Sequence, residues 1–260
     1  MKERPILFSA ESVRAILDGR KTMTRRVVNP QPDDPRGAQW ATEVYPWEEG
    51  ITVYAPGEFG VYCTGYPTLG RTELSRVLRC PYGVPGDRLW VKEGYYRPTD
   101  FLLPAGGNWK RGGRASVRYT ADDHVAWHDI THDEYRQITE QKPGRHTGLH
   151  LHKCLCRLWL EVVNVRVERV QDISEVDAQA EGVSVPDAID GCPKGTWVRD
   201  SIVIDRFARL WDSLNAKRDR MEGDTGSWPA DYGPYCWDAN PLVWVVEFKR
   251  IEASKAEAAE

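Results

Sequence analysis

Residues 17–28 read LDGRKTMTRRVV, placing four cations and two threonines directly after a glycine. Upstream, FSAESVRAILDG sets Val13, Ile16 and Leu17 at i, i+3 and i+4, with Ser9 available as N-cap and Gly19 where a helix usually stops. Downstream, TMTRRVV mixes β-branched and apolar residues as a strand does. The pattern predicts a short helix, a turn at Gly19 and a strand, with the cationic cluster on the turn.

Two readings of that cluster stay open from local features. A helix C-terminus attracts Lys and Arg through its dipole, and the threonines then belong to an ordinary strand. Alternatively, Lys21 could take the proton of Thr24. A threonine hydroxyl attacks only when a base removes its proton, and a lysine serves as base only when burial or neighbouring cations keep it neutral. Arg20, Arg25 and Arg26 would supply those cations.

The 260-residue chain carries a net charge of −4, so no long-range field draws it to polyanions, and any nucleic-acid contact must be local. Lys2, Arg4, Arg14, Arg20, Lys21, Arg25 and Arg26 against Glu3, Glu11 and Asp18 make the first thirty residues locally basic. No apolar run approaches the ~20 residues that span a bilayer, and MKERPILFSAES lacks the apolar core of a leader. The expected compartment is the cytoplasm, without a membrane partner. Six cysteines without a CxxC pair are expected as free thiols, and the eleven tryptophans as core or pocket wall.

Further along, NPQPDDPRGAQW (29–40) reads as a surface loop, and ITVYA and FGVYCTG as short strands. PYGVPGDRLWVKEGYY is a Pro/Gly turn feeding a strand through Leu89, Trp90 and Val91 that ends in Lys92 and Glu93. AGGNWKRGGRAS suggests a hairpin or loop, HDEYRQITEQ is compatible with a helix, and CRLWLEVVNVRVERV alternates as one long strand or two. DISEVDAQAEGV reads as a compact helix from Ser174 as N-cap, with Glu181 last before Gly182. SIVIDRFARLWDSLNA puts Ile204, Phe207, Leu210, Trp211 and Leu214 on one helical face, PLVWVVEFKRI closes as a buried strand, and 252–260 is a polar tail.

Gly19, Lys21, Thr24 and Arg26 satisfy Gly-x-Lys-x-x-Thr-x-Arg, and three more stretches follow: PGDRLWVKE (85–93), ISEVDAQAEGV (173–183) and VWVVEFKRI (243–251). Together, in that order, they resemble the ASCH family of the PUA-like superfamily, and in particular its long phage and prophage members. The resemblance implies an α+β fold: a PUA-like β-pseudobarrel with peripheral helices and a cleft suited to a nucleobase or nucleotide. It implies one domain over 1–251, with insertions at about 29–84, 94–155 and 183–238 that could reshape or cover the cleft.

Small bacterial members of the family include amidohydrolases that remove the acetyl group from acetylated cytidine without a cofactor. Carried over by motif, Lys21 is the base, Thr24 the nucleophile and Glu181 the proton donor, a role suited by burial at a helix end. Arg20, Arg25 and Arg26 would contact substrate. Glu93 competes for the acid role, its other reading being a salt bridge at a strand end, and Trp90, Tyr95 and Tyr96 could wall a base-stacking slot or be simple core. The expected activity is hydrolysis of a modified nucleoside such as an N-acylated cytidine. The alternative is a non-enzymatic module binding RNA or modified nucleic acid with Lys21, Arg25 and Arg26 on phosphates; a ribonuclease is the third reading. No protein partner is implied.

His150, His152, Cys154 and Cys156 alternate in HLHKCLC, so an extended strand would aim all four to one face, and His124, His128 and His132 have helical spacing. At ~3.3 Å per residue the first set spans about 20 Å, too far for one ion, and no metal is expected.

Overall fold

The computed structural model describes residues 1–29, 31, 51–55, 58–63, 73–103, 112–184, 198–215 and 235–252. Most of the expected 29–40 loop, the first half of AGGNWKRGGRAS and nearly all of the polar tail lie outside the described residues. In chain order the first elements are β1 (Glu3–Leu7), α1 (Ala10–Leu17), β2 (Met23–Val27), β3 (Ile51–Ala55), β4 (Glu58–Cys63), β5 (Glu73–Arg79) and β6 (Arg88–Lys92). Then come β7 (Tyr95–Tyr96), β8 (Phe101–Leu102), β9 (Gly113–Tyr119), β10 (Val125–Ile130), α2 (His132–Glu140) and β11 (Arg145–His146). The last are β12 (Trp159–Arg169), α3 (Glu175–Ala180), α4 (Val198–Asn215) and β13 (Leu242–Ile251). The fold is α+β.

The chain forms two compact units. The first comprises Met1–Lys21, Gly86–Val163 and Phe248–Glu260; the second comprises Thr22–Pro85 and Asn164–Glu247. Strands β12 and β13 run through the division. Within the first unit β6 lies between β1 and β12: β1 is parallel to it, Glu3 opposite Arg88, and β12 antiparallel, Trp159 opposite Trp90. A second sheet has the order β10-β9-β7-β11, with β8 also on β9, and covers a core including Tyr95, Tyr119, Ile138 and Leu155. Within the second unit the order is β12-β13-β2, antiparallel β2 placing Arg26 opposite Trp244 and Thr24 opposite Val246. Strands β3, β4 and β5 form an antiparallel sheet. No sheet closes on itself among the described residues.

Caps and glycines set the helix ends as the sequence suggests. The Ser9 hydroxyl accepts from the Ser12 amide, and Gly19 at φ +75° lets Arg20 and Lys21 donate back to the Ala15 carbonyl at 2.9 and 3.0 Å. Ser174 accepts from the Asp177 amide, and Gly182 at φ +91° follows α3, so that Glu181 is its C-cap, one residue beyond the helix proper. Thr131 and Glu134 form a reciprocal capping box, which is why HDEYRQITE is a helix despite its polarity. CRLWLEVVNVRVERV contains one strand, β12.

Three expectations change. On α4 Phe207 and Trp211 are buried and Ile204 packs beside them as read, but Val203 joins the buried stripe and Leu214 is 66% exposed, so the packed face is turned slightly from the one read off the sequence. Residues 148–150 and 153–155 are 3-10 turns, so His150, His152, Cys154 and Cys156 share no strand face. His124 lies in the connection just before β10, His128 on β10 and His132 at the start of α2, so their spacing is not that of one helix. Among the described residues no His, Cys, Asp and Glu cluster could hold a metal, and no helix is long and apolar enough to cross a membrane. Of the described tryptophans, Trp211 and Trp244 are buried, while Trp90, Trp159 and Trp237 are half-buried and Trp127 is exposed.

Candidate functional site

The Gly19 turn delivers the motif into β2. Lys21 is the last residue of its segment of the first unit, 5% exposed, with its ammonium 5.8 Å from the Phe8 ring centre. Arg20 is at the surface, paired with Asp18 at 2.9 Å. The second unit begins one residue later. There the Thr22 amide donates to the Ala180 carbonyl at 2.9 Å, binding the start of the motif strand to the end of α3. The pleat of β2 sends Thr24 and Arg26 to one face and Met23, Arg25 and Val27 to the other. Thr24 is 4% and Glu181 6% exposed.

Arg25, read from sequence as a substrate contact, has a fully buried side chain. Its Nε donates to Glu168 Oε1 at 2.9 Å, and one terminal nitrogen donates to the same oxygen and to Asp177 Oδ2 at 2.8 Å. The other terminal nitrogen reaches Glu181 Oε1 at 3.5 Å and Met23 Sδ at 3.3 Å. The guanidinium carbon is 5.9 Å from the centre of the Phe207 ring, which gives the charge an aromatic face as well.

A second arginine completes a ring of ion pairs. Arg166 donates to Glu168 Oε2 at 2.9 Å, to Asp177 Oδ2 at 2.5 Å and to Glu247 Oε1. Burial works against the Arg166 charge, but Glu168, Asp177 and Glu247 more than offset it and hold the group above its ordinary pKa. Glu168 and Asp177 therefore each bridge two guanidiniums, tying β2, β12 and α3 together, with β13 joined through Glu247. Asp177 and Glu181 are four apart around the end of α3, the spacing that puts both carboxylates on one side.

Glu93 belongs to the first unit. Just past β6, at 1% exposure, it accepts both arms of Arg157, Nε at 2.9 Å and a terminal nitrogen at 2.8 Å. Arg157 forks again onto Asp122 at 2.9 Å through each terminal nitrogen and lies 4.1 Å from the Tyr119 ring centre. Burial pushes the Glu93 carboxyl above its usual range against the pull of Arg157. Burial also acts to raise Asp122, but its bonds to Arg157 and the His124 amide more than offset this and hold it low. Gly148 explains how closely the site is covered: a Cβ there would lie 2.8 Å from the Lys92 carbonyl and 2.9 Å from the Glu93 backbone. Trp90 is half-buried with the Lys92 ammonium 5.5 Å from its ring centre, Tyr95 is fully buried in the core, and Tyr96 is half-buried with Arg118 4.0 Å from its centre.

The chain matches no known family, no curated protein and no solved structure. The candidate site therefore rests on its own motifs and geometry. Sequence reasoning singled out Arg25 and Glu181 but missed Arg166, Glu168, Asp177 and Glu247. One signal was available: Arg166 and Glu168 alternate on β12, opposite charges on one face of a strand otherwise rich in valine.

Proposed function

We propose that this chain is an ASCH-type protein with a PUA-like pseudobarrel plan, hydrolysing the amide of an N-acylated cytidine or a related modified nucleoside. The observation that carries the reading is the joining of the motif strand to the Glu181 end of α3. A backbone bond links Thr22 to Ala180, and Arg25 contacts Glu181 across 156 residues of sequence. The motif and a distant carboxylate are thus built into one local structure, a more demanding arrangement than a solvated helix end requires.

In this reading Thr24 Oγ1 attacks the acyl carbonyl carbon as Lys21 takes the hydroxyl proton. Collapse breaks the bond from the acyl carbon to the exocyclic nitrogen, and Glu181 gives its proton to the departing amine. Water then cleaves the threonine ester, releasing the carboxylic acid and restoring the hydroxyl. The ring around Arg25 positions Glu181 by fixing the end of α3. A reader of phosphates would present its cations to solvent, whereas Lys21 is 5% exposed and the Arg25 side chain is wholly buried, which favours chemistry over backbone binding.

The test is incubation with N4-acetylcytidine and longer N-acyl cytidines, with separation of the products. The expected result is release of free cytidine, lost in Thr24→Ala and Lys21→Ala variants that keep the wild-type melting curve. No turnover on any of these amides, or undiminished turnover in both variants, overturns the proposal.

A further inference from the structure

The second sheet of the first unit ends in β10, which among the described strands pairs with β9 alone, in an unbroken register from Val125 opposite Arg118 to Ile130 opposite Gly113. The Tyr119 amide donates to the His124 carbonyl at 2.9 Å, so the bonded pairs of this ladder are Tyr119 with His124 and every second pair after it. The N–H and C=O groups of Val125, Trp127 and Asp129 therefore point away from β9, and among the described residues no backbone group meets them. Their side chains share the open face: Val125 is 50% and Trp127 39% exposed, and the Asp129 carboxylate lies at the surface.

An open edge invites pairing, and proteins blunt edges with basic residues, proline, bulges or brevity. The other edges among the described strands carry such guards. β1 has Arg4 and Pro5, β2 and β5 carry arginines, β3 has a register shift between Val53 and Ala55, and β8 and β11 are two residues long. β10 is six residues without Lys, Arg, Pro or bulge, and a tryptophan stands at the centre of its outward row.

We infer that β10 is a self-association edge, on which two copies of this chain pair antiparallel about a twofold axis through Trp127. That register uses every outward group: Val125 of one copy meets Asp129 of the other, Trp127 meets Trp127, and each such pair exchanges both of its backbone hydrogen bonds. Charge matches as well. Val125 lies opposite Arg118 on β9, and Asp129 lies opposite Arg114 at 3.4 Å, so a row across the joined sheet reads Arg118, Val125, Asp129, Arg114. Each carboxylate then sits between arginines of both copies, and no like charges are opposed. The two indoles meet at the axis, an aromatic pair of the kind that strengthens cross-strand contacts. A second copy carries this complementary alternation by construction, which a strand of arbitrary sequence does not.

The test is sedimentation velocity of the full chain from about 1 to about 300 μM, with amide hydrogen exchange at both ends of that range, because so short an edge predicts micromolar association. A reversible monomer and dimer equilibrium is expected. Exchange at Val125, Trp127 and Asp129 should slow at the higher concentration, while Ala126 and His128, already bonded to β9, change little. Trp127→Lys should weaken association about tenfold or more by setting two cations at the axis, whereas Leu149→Lys, at an apolar position 61% exposed and off this edge, should leave it unchanged. Val125→Asp, which opposes two carboxylates, should weaken it more than Val125→Lys, which faces Asp129. A single monomer mass throughout, an undiminished dimer in a folded Trp127→Lys variant, or slowed exchange on other strands only overturns the inference. So does protection of β10 that appears only when a single-stranded oligonucleotide or an unrelated peptide is added.

Discussion

Each unit contains an arginine forked between carboxylates, and the two clusters are built differently. In the first unit Arg157 makes two bonds to Glu93 and two to Asp122, all between 2.8 and 2.9 Å. In the second unit the short contacts of Arg25 go to Glu168 and Asp177, and its contact with Glu181 is the longest of the three, at 3.5 Å. A symmetric fork fixes both of its carboxylates in place. The uneven one holds Glu168 and Asp177 at short range and reaches Glu181 at 3.5 Å. Under the proposed function, Glu93 holds the fold through Arg157 and Glu181 serves the chemistry, although both sit at the end of an element beside an arginine.

The sharpest way to break this comparison is to remove each acid in turn. Glu181→Gln should lower turnover of an N-acyl cytidine by roughly 10²–10⁴-fold, the usual contribution of a positioned proton donor. Glu93→Gln should leave the rate within about twofold, a change too small for a lost general acid. The reverse pattern in product-release assays would exchange the two assignments.

Removing the arginines comes next. Arg157→Met leaves Glu93 buried without its partner, whereas Arg25→Met takes from Glu168 and Asp177 one of the two guanidiniums that each bridges and leaves them Arg166. The first should cost about 3–5 kcal/mol, the range found when one partner of a buried ion pair is deleted, and the second less. Urea unfolding measures the loss, and a cost below about 1 kcal/mol for either would mean that cluster behaves as a surface pair.

The smallest effect separates the two acids of the first cluster by pH. Glu93 is raised from 4.5, chiefly by burial, so the folded state holds its proton longer. Its contribution is fully present below that value and is lost as pH rises through the folded one. Asp122 is lowered from 3.8: burial acts to raise it, but its bonds to Arg157 and the His124 amide prevail. Its contribution is present above that value and is lost as pH falls through the folded one. Unfolding midpoints across acid pH should lose the falling limb in Glu93→Gln and the rising limb in Asp122→Asn. Identical profiles for the two variants would contradict these opposite shifts.

Much of this was legible from short-range patterns. Ser9 and Gly19 bound α1, Ser174 and Gly182 bound α3, and the alternation of 156–170 yields β12, because caps, left-handed glycines and strand periodicity act over a few residues. Other patterns misled for the same reason. The alternation in HLHKCLC resembles a strand, but among the described residues no strand pairs with it, and Tyr95 instead donates to the His150 carbonyl at 3.0 Å beside a 3-10 turn. The helical stripe held at Ile204, Phe207 and Trp211 but not at Leu214, because α4 turns Val203 inward beside them, against the surfaces of β2 and β13.

By itself the sequence determined where the cationic motif begins, which residues cap it and which residues lie on alternate faces of β2. Only the tertiary structure decided what those residues meet. It buried Arg25 among Glu168, Asp177 and Glu181 and gave Glu93 to Arg157. The physical reason is that a desolvated guanidinium stays charged and must find carboxylates to offset the lost hydration, and those carboxylates arrive from strands and helices far away in the chain, where no local pattern points to them.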